Sequence, residues 1–269
     1  MFQLYSSWNY INYFADPLIR MQSIGIHYLR QIKERKQERR EYIRAKPNEP
    51  SIILEHVDVC IPQSSQVLIS DINLILSSTD NLIITGPSGC GKSSLLRLLA
   101  GLISNENNSR NSNIRMCPRQ NTIFLCQQLY LIQGTLREQL SYLRQAHGLG
   151  LITDYLQVQQ LLDEFGLNHL VEQYSMDGQQ QNWSQILSIG EQQRLMMITA
   201  LLVGKDIIDL LILDEITSGC DQQTEEIIYE YLQRSSLQFV SISHRKEIEK
   251  YHSCKMTINA NKQAHVTMF

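Results

Sequence analysis

An α/β fold with a mostly parallel core sheet, a small β subdomain and an α-helical subdomain is what this sequence predicts, and three observations carry the prediction. Short apolar runs at Leu82 to Thr85, Leu210 to Leu213 and Phe239 to Ile242 read as strands. They alternate with stretches of helical character, the order expected of strand–helix–strand units. The first of these runs also leads directly into a glycine-rich turn that opens a helix, Gly86 to Ser93.

Residues 1–46 form the first section, expected as a mostly helical extension. Asp16-Pro17 is a helix start, aspartate as N-cap and proline in the first turn, and Leu18, Met21, Ile24, Tyr28 and Ile32 follow at three- and four-residue spacings. Lys33 to Glu41 then carries five bases against three acids, the composition of a solvated helical face. Residues 47–51, with Pro47 and Pro50, break that helix and are expected as a linker, because each proline removes a donor and restricts the residue before it.

Residues 52–269 are expected to form one domain. Strand-like runs cover Ile52 to Val59, Val67 to Ile69 and Leu82 to Thr85, followed by a helix from Lys92 to Leu102 and a polar loop from Asn105 to Asn113. A helical subdomain is expected over about residues 136–195: Leu136 to Leu170 with breaks at Gly148 and Gly150, a glutamine-rich turn at Gln179 to Gln181, and a second helical region after Ser188. A helix around Gln223 to Leu232 separates the last two strands, and no internal repeat is visible.

Composition narrows the function classes. With 269 residues and 43% hydrophobic content the chain can bury a sizeable core, and a net charge of −3 gives no global reason to bind nucleic acid. Cysteines at 60, 90, 117, 126, 220 and 254 show neither a C-x-x-C pair nor zinc-type spacing, and read as reduced thiols. Met1 to Ala15 is uncharged but studded with polar residues, and Asp16 interrupts it short of the roughly 20 apolar residues that a spanning helix needs.

The chemistry is concentrated in two runs. Gly86-Pro87-Ser88-Gly89-Cys90-Gly91-Lys92-Ser93, followed by Ser94, satisfies G-x-x-x-x-G-K-[ST] after a strand and at the start of a helix. Such a loop turns successive N–H groups toward phosphate oxygens, Lys92 reaches the β- and γ-phosphates, and Ser93 serves Mg²⁺. Leu210-Leu211-Ile212-Leu213-Asp214-Glu215 is an apolar strand ending in two acids, the arrangement that sets carboxylates beside the phosphates. Asp214 is expected at Mg²⁺ and Glu215 as the base that polarises an attacking water.

Leu187-Ser188-Ile189-Gly190-Glu191-Gln192-Gln193-Arg194 resembles the LSxGE/QQR signature of the ABC ATPase superfamily. That resemblance implies the P-loop NTPase fold of ABC ATPases, with ATP and Mg²⁺ as ligands. It also implies that Ser188, Gly190 and Glu191 contact the ATP of a second cassette, so that two cassettes meet face to face. Gln127 then looks like the Q-loop glutamine, which also approaches the metal, Asp221 like the D-loop aspartate, and His244 like the switch histidine.

The similarity extends to subfamily D, the half-transporters of peroxisomes and lysosomes with their bacterial SbmA-like relatives. Four stretches carry it: Gly86 to Arg97, Gly134 to Leu140, Asn182 to Ile186, and Ser243-His244-Arg245 with Lys250-Tyr251-His252. It implies a transmembrane domain, on the same full-length chain or a separate subunit, with residues 1–46 as its remnant or linker. Its cargo would be hydrophobic or cofactor-like, such as fatty acyl-CoA or cobalamin. The cassette would then work at the cytosolic face of a membrane, peroxisomal or lysosomal in a eukaryote and the plasma membrane in a bacterium.

Two departures stand out. No aromatic residue lies near Cys60 to Pro62, where many cassettes stack the adenine, leaving a Tyr or Phe elsewhere or an apolar contact such as Ile61 to substitute; and Thr199-Ala200-Leu201 stands where relatives usually place an arginine. Two other readings compete with a transport motor. A soluble ABC ATPase acting on ribosomes or DNA usually carries two cassettes or long coiled coils, whereas each motif occurs here once; a regulatory cassette that binds without turnover is disfavoured by the presence of Lys92, Gln127, Asp214, Glu215 and His244.

Overall fold

In a computed structural model, residues 50–61, 64, 66–103, 112–116 and 121–269 are described. The expected helical extension over residues 1–46, Pro62, Cys117 and most of the polar loop after Asn105 lie outside the described residues.

The small β layer comes first. Strand β1 (Pro50–Cys60) pairs antiparallel with β2 (Val67–Ser77) on one side and with β4 (Asn113–Arg115) on the other. Along β2, Ile72, Leu74 and Leu76 are buried while Asn73 and Ile75 face outward, the period of two of a half-buried strand. This strand runs eight residues past the expected Ile69, because Ser70-Asp71 interrupts the apolar run without ending the pairing. The interruption is a register slip: Asp71 and His56 both take positive φ (51° and 52°), and their side chains meet at 2.8 Å.

The main sheet has six strands in the order β11-β10-β3-β9-β8-β5. Strands β10 (Cys254–Ile258), β3 (Leu82–Thr85), β9 (Phe239–Ile242), β8 (Leu210–Asp214) and β5 (Thr122–Leu125) run parallel, with β5 at one edge, and β11 (Ala264–Met268) closes the other edge antiparallel. Strands β3, β8 and β9 have the expected bounds within one residue. Their unbroken apolar sequences follow from burial on both faces. Leu82, Ile84, Leu210, Ile212, Val240 and Ile242 join one core with the β1–β2 layer and helix α1 (Lys92–Leu99). Ile83, Leu211, Leu213 and Phe239 belong to a second core on the opposite face.

That second core is closed by helices. The expected stretch from Leu136 to Leu170 is three pieces, α2 (Leu136–Ala146), α3 (Tyr155–Glu164) and α4 (His169–Tyr174). Gly148 and Gly150, both at positive φ, make the break after α2, as expected, and Gly166 at φ 66° makes the next. A capping box opens α2: Thr135 Oγ1 accepts from the Glu138 N–H, and the Glu138 carboxylate accepts from the Thr135 N–H. A two-strand ribbon, β6 (Gln133–Gly134) with β7 (Gln181–Asn182), leads into the short α5 (Trp183–Ile186). Trp183 is fully buried there and donates its indole N–H to Gly134 O at 3.1 Å.

Helix α6 (Ile189–Leu201) and helix α7 (Gln222–Ser235) complete this layer, and a 3-10 helix, Lys246–Tyr251, follows β9. Thr199 lies fully buried on α6 and donates to Leu195 O, so the position where an arginine was expected is an interior one. Helix α1 ends three residues before the expected Leu102. Gly101 at φ 63° caps it and the Leu102 N–H returns to Arg97 O. Among the described residues, no helix is long and apolar enough to cross a membrane, and the five described cysteines are free thiols.

One buried ionisable group ties the 3-10 segment to the sheet. His252 Nε2 lies 2.8 Å from Ser241 Oγ, its Nδ1 donates to Ile248 O, and burial lowers its pKa from 6.5 to about 4. The unfolded chain holds this proton between those two values and the folded chain does not, so folding weakens as pH falls through that window. On the order of 3 kcal/mol is expected to be lost from this group between pH 7 and pH 4. Urea-denaturation midpoints across that range should fall less steeply for His252→Gln than for the unsubstituted protein.

Candidate functional site

Parallel pairing brings the ends of four strands to one level. Ile84 of β3 lies opposite Ile242 of β9, Ile242 opposite Asp214 of β8, and Leu213 opposite Leu125 of β5. The segments that continue from these residues carry Gly86, His244, Glu215 and Gln127, each one or two residues beyond its strand's last paired position. Four motifs scattered over more than 150 residues of sequence therefore open onto one edge of the sheet.

The glycine-rich loop curls over its own lysine. Lys92, 6% exposed, donates from Nζ to Gly86 O and Pro87 O, both at 2.9 Å, which puts an ammonium inside the concavity formed by Gly86 to Gly91. Gly89 at φ 75° holds the left-handed backbone this curl requires, and α1 then starts after Gly91, whose place as N-cap supplies no side-chain partner for the first-turn N–H groups. Ser93, in the first turn of α1, donates from Oγ to Asp214 Oδ1 at 3.0 Å. Cys90, Ser88 and Ser94 lie along the same loop and first turn. Ile61 is partly exposed at the end of β1, and its carbonyl accepts from the Ser64 N–H.

Two adjacent carboxylates stand at the end of β8. Asp214 is 5% exposed, and burial raises its pKa, with the Ser93 hydrogen bond opposing and the neighbouring Glu215 adding to the rise. Glu215 takes φ 52°, uncommon for a side chain of this size, and so turns off the strand axis. Its two oxygens are held from two sides: Gln127 Nε2 donates to Oε2 at 3.3 Å and His244 Nε2 lies 3.1 Å from Oε1. The sheet edge thus brings Gln127, Glu215 and His244 into one chain of contacts, beside the Ser93–Asp214 pair.

The signature residues stand on a separate element. Ser188 is the N-cap of α6 in a capping box with Glu191: Ser188 Oγ accepts from the Glu191 N–H and Glu191 Oε2 accepts from the Ser188 N–H at 2.9 Å. Burial opposes ionisation of Glu191, yet the Ser188 bonds, with His169 and Arg194 nearby, hold its pKa below the ordinary value. Gly190 faces the loop after β8, and a Cβ there would stand 2.7 Å from Gly219 O. Asp221 is the N-cap of α7 and accepts from the Thr224 N–H and hydroxyl, bonds that lower its pKa.

Gln193 is a residue that the motifs did not single out for a role. Its Oε1 accepts from the Gly219 N–H at 2.8 Å and its Nε2 donates to Ser218 Oγ at 3.3 Å, so α6 is hydrogen-bonded to the loop between Glu215 and Asp221. It is 3% exposed; a glutamine on an otherwise apolar helical face was the available signal.

The family model for ABC transporter matches residues 69–218. The chain is 34% identical over 210 residues to an uncharacterised ABC transporter ATP-binding protein of Synechocystis, covering 78% of this chain and 30% of that protein. It is 34% identical over 212 residues to the lysosomal cobalamin transporter ABCD4 of Homo sapiens, covering 78% and 34%. With ABC transporter D family member 2, chloroplastic, of Arabidopsis thaliana, it shares 27% identity over 283 residues, covering 90% and 39%. This chain spans about a third of the length of these relatives.

The packing of Gly190 on Gly219 gives a direct test. Gly190→Ala is expected to lower stability by about 1–3 kcal/mol, the cost of overpacking, and to speed amide exchange over residues 218–221. Gly89→Ala, where nothing lies within 4 Å, is expected to cost about 1 kcal/mol from its left-handed backbone and to leave exchange at 218–221 unchanged. Denaturant midpoints and hydrogen-exchange mass spectrometry read both effects.

Proposed function

The chain belongs to the ABC transporter family, and from that premise we propose that it binds and hydrolyses ATP as the nucleotide-binding domain of a subfamily D-like transporter. One observation carries the hydrolytic part: Glu215 stands at the end of β8 with Gln127 and His244 on its two oxygens, next to the Ser93–Asp214 pair. In this reading the N–H groups of Gly86 to Ser94 and the Lys92 ammonium bind the phosphates.

Glu215 accepts the proton of the attacking water, and His244 and Gln127 fix the direction of its carboxylate. The donor set also fits Mg²⁺. Ser93 Oγ and Asp214 Oδ1 are hard oxygen donors 3.0 Å apart, and Mg²⁺ takes few protein ligands while keeping waters. We assign Ser93, Asp214 and Gln127 to holding it; when bound it supplies charge neutralisation at the β- and γ-phosphate oxygens. Burial resists ionisation of Asp214, and a cation at this position would favour its anionic form.

The proposed assembly is a pair of cassettes, homo- or heterodimeric, joined to a transmembrane domain on the same full-length chain or a separate subunit. Ser188, Gly190 and Glu191 would face the partner's ATP, and Asp221 would lie at the same junction. Ile189, 68% exposed in the middle of the signature, supports this reading, since a second cassette would cover it. Residues 52–269 form the cassette in this proposal, with the helical subdomain at about 136–195, and residues 1–46 and 47–51 lead to the membrane part. The cytosolic face of a membrane is its proposed place, peroxisomal or lysosomal in a eukaryote and the plasma membrane in a bacterium. Fatty acyl-CoA or cobalamin represents the class of cargo proposed.

Two substitutions separate binding from turnover. Lys92→Ala is expected to weaken ATP binding about 10- to 100-fold, the worth of charge-assisted hydrogen bonds to phosphate. Glu215→Gln should retain ATP and lower kcat about 100-fold or more. Filter-binding of labelled ATP alongside phosphate release checks both, and equal ATP retention by the two variants would overturn the assigned roles.

A further inference from the structure

Beside the proposed hydrolytic residues lies a buried carboxylate that none of the motifs includes. Glu225, in the first turn of α7, is 2% exposed. Its Oε1 accepts from Thr217 Oγ1 at 2.5 Å, and its Oε2 accepts from Arg245 Nη1 at 2.8 Å. Arg245 also donates from Nη2 to Cys220 O at 2.9 Å. Thr217 is two residues after Glu215, Cys220 is next to Asp221, and Arg245 directly follows His244. One carboxylate and one guanidinium therefore fasten together the loop after β8, the start of α7 and the loop after β9.

We propose that Glu225 and Arg245 are positioning residues for ATP hydrolysis: they hold the Glu215 and Asp221 loop and the His244 loop as a single unit, setting the contact between Glu215 and His244. The inference rests on the reading of Glu215 and His244 as hydrolytic residues. Geometry supports it in three ways. The two loops leave β8 and β9 side by side, so a bridge of one residue pair suffices to fix their spacing. The Glu225 carboxylate is nearly inaccessible to water, so its two bonds act as directional constraints at that end, while the Arg245 side chain is partly exposed. Helix α7 itself is anchored: Tyr229, one turn on and fully buried, stacks on Tyr251 and packs against His252 and Phe239, and Lys250 pairs with Glu226 at 2.8 Å. The frame that carries Glu225 is thus fixed to both β9 and the 3-10 helix.

Arg245 adds a second consequence. Its bond to Cys220 O connects the histidine loop to the residue just before Asp221, and Asp221 in turn caps α7. A displacement of the segment from Ser218 to Asp221 would therefore be transmitted to His244 through the guanidinium and not through the sheet, whose paired strands cannot slide.

The test uses the full chain and five proteins: the unsubstituted protein, Glu225→Gln, His244→Ala, the double variant of these two, and Arg245→Lys. Glu225→Gln keeps the size and one acceptor but loses the charge that orders Arg245. It is expected to lower kcat about 10-fold with KM for ATP within about twofold, and to add less than about twofold to the loss already caused by His244→Ala. Hydrogen exchange on the nucleotide-free proteins supplies a readout independent of turnover. Glu225→Gln should raise exchange over residues 216–221 and 243–246 together and leave 86–93 unchanged, and Arg245→Lys should reproduce that pattern more weakly. Unchanged exchange in those two segments would overturn the proposal, as would full additivity of the two kcat losses. An unsubstituted protein that binds ATP without hydrolysing it would sink the hydrolytic reading and the role in catalysis, while coupled exchange would still identify the fastening.

Discussion

Parallel registry among β3, β9, β8 and β5 is the constraint on which the rest of the molecule depends. Strands β3, β9 and β8 are buried on both faces, so their side chains are committed to one core or the other and a slip of one residue would exchange the two sets, while β5 buries Ile123 and Leu125 on one face. That commitment fixes where each strand ends relative to its neighbours. Gly86, Gln127, Glu215 and His244 are consequently placed by the packing of Ile84, Leu125, Leu213 and Ile242, residues that have no chemistry of their own.

Electrostatics at that edge explain why so many partners gather around Glu215 and Asp214. Two adjacent acids repel one another, and the more buried of them, Asp214, has its ionisation opposed by burial first. Ser93 offsets part of that opposition by donating to Asp214, while Gln127 and His244 hold Glu215 turned away on a backbone with φ 52°. Residues held in sparsely populated backbone regions cost of order 1–3 kcal/mol and persist where surrounding contacts over-determine them. Here the contacts that do so are the same ones that aim the carboxylate, so the strain and the aim have a common source.

What could be read from the residues, and what could not, divides along the same physical line. Strands β3, β8 and β9 were legible because burial on both faces leaves an unbroken apolar run, and the glycine-rich loop was legible because it must follow such a strand. The second half of β2 was hidden by Ser70-Asp71, where a bulge with positive φ keeps the pairing while breaking the alternation. Strands β10 and β11 escaped notice because Lys255, Thr257 and His265 dilute their apolar character. Of the candidate site, the motif residues were visible, but the partnership of Glu225 with Arg245 was not. An acid in the first turn of a helix is already accounted for by the helix dipole, and nothing in a sequence pairs it with a base twenty residues later.

The contacts of α6 extend the argument from the sheet edge to the signature. Gly190 approaches Gly219 too closely for any side chain, and Gln193 hydrogen-bonds Gly219 and Ser218 across the same gap. The helix that carries Ser188 and Glu191 is therefore joined to the very loop that runs from Glu215 to Asp221. A single chain in which the signature and the carboxylate loop share backbone contacts has little freedom to move one without the other. Any event that repositions the N-terminus of α6 must then be felt at Gly219, and from there along five residues of backbone at most to Glu215. Close packing without a side chain transmits such a displacement better than a flexible contact would, because no rotamer change is available to absorb it.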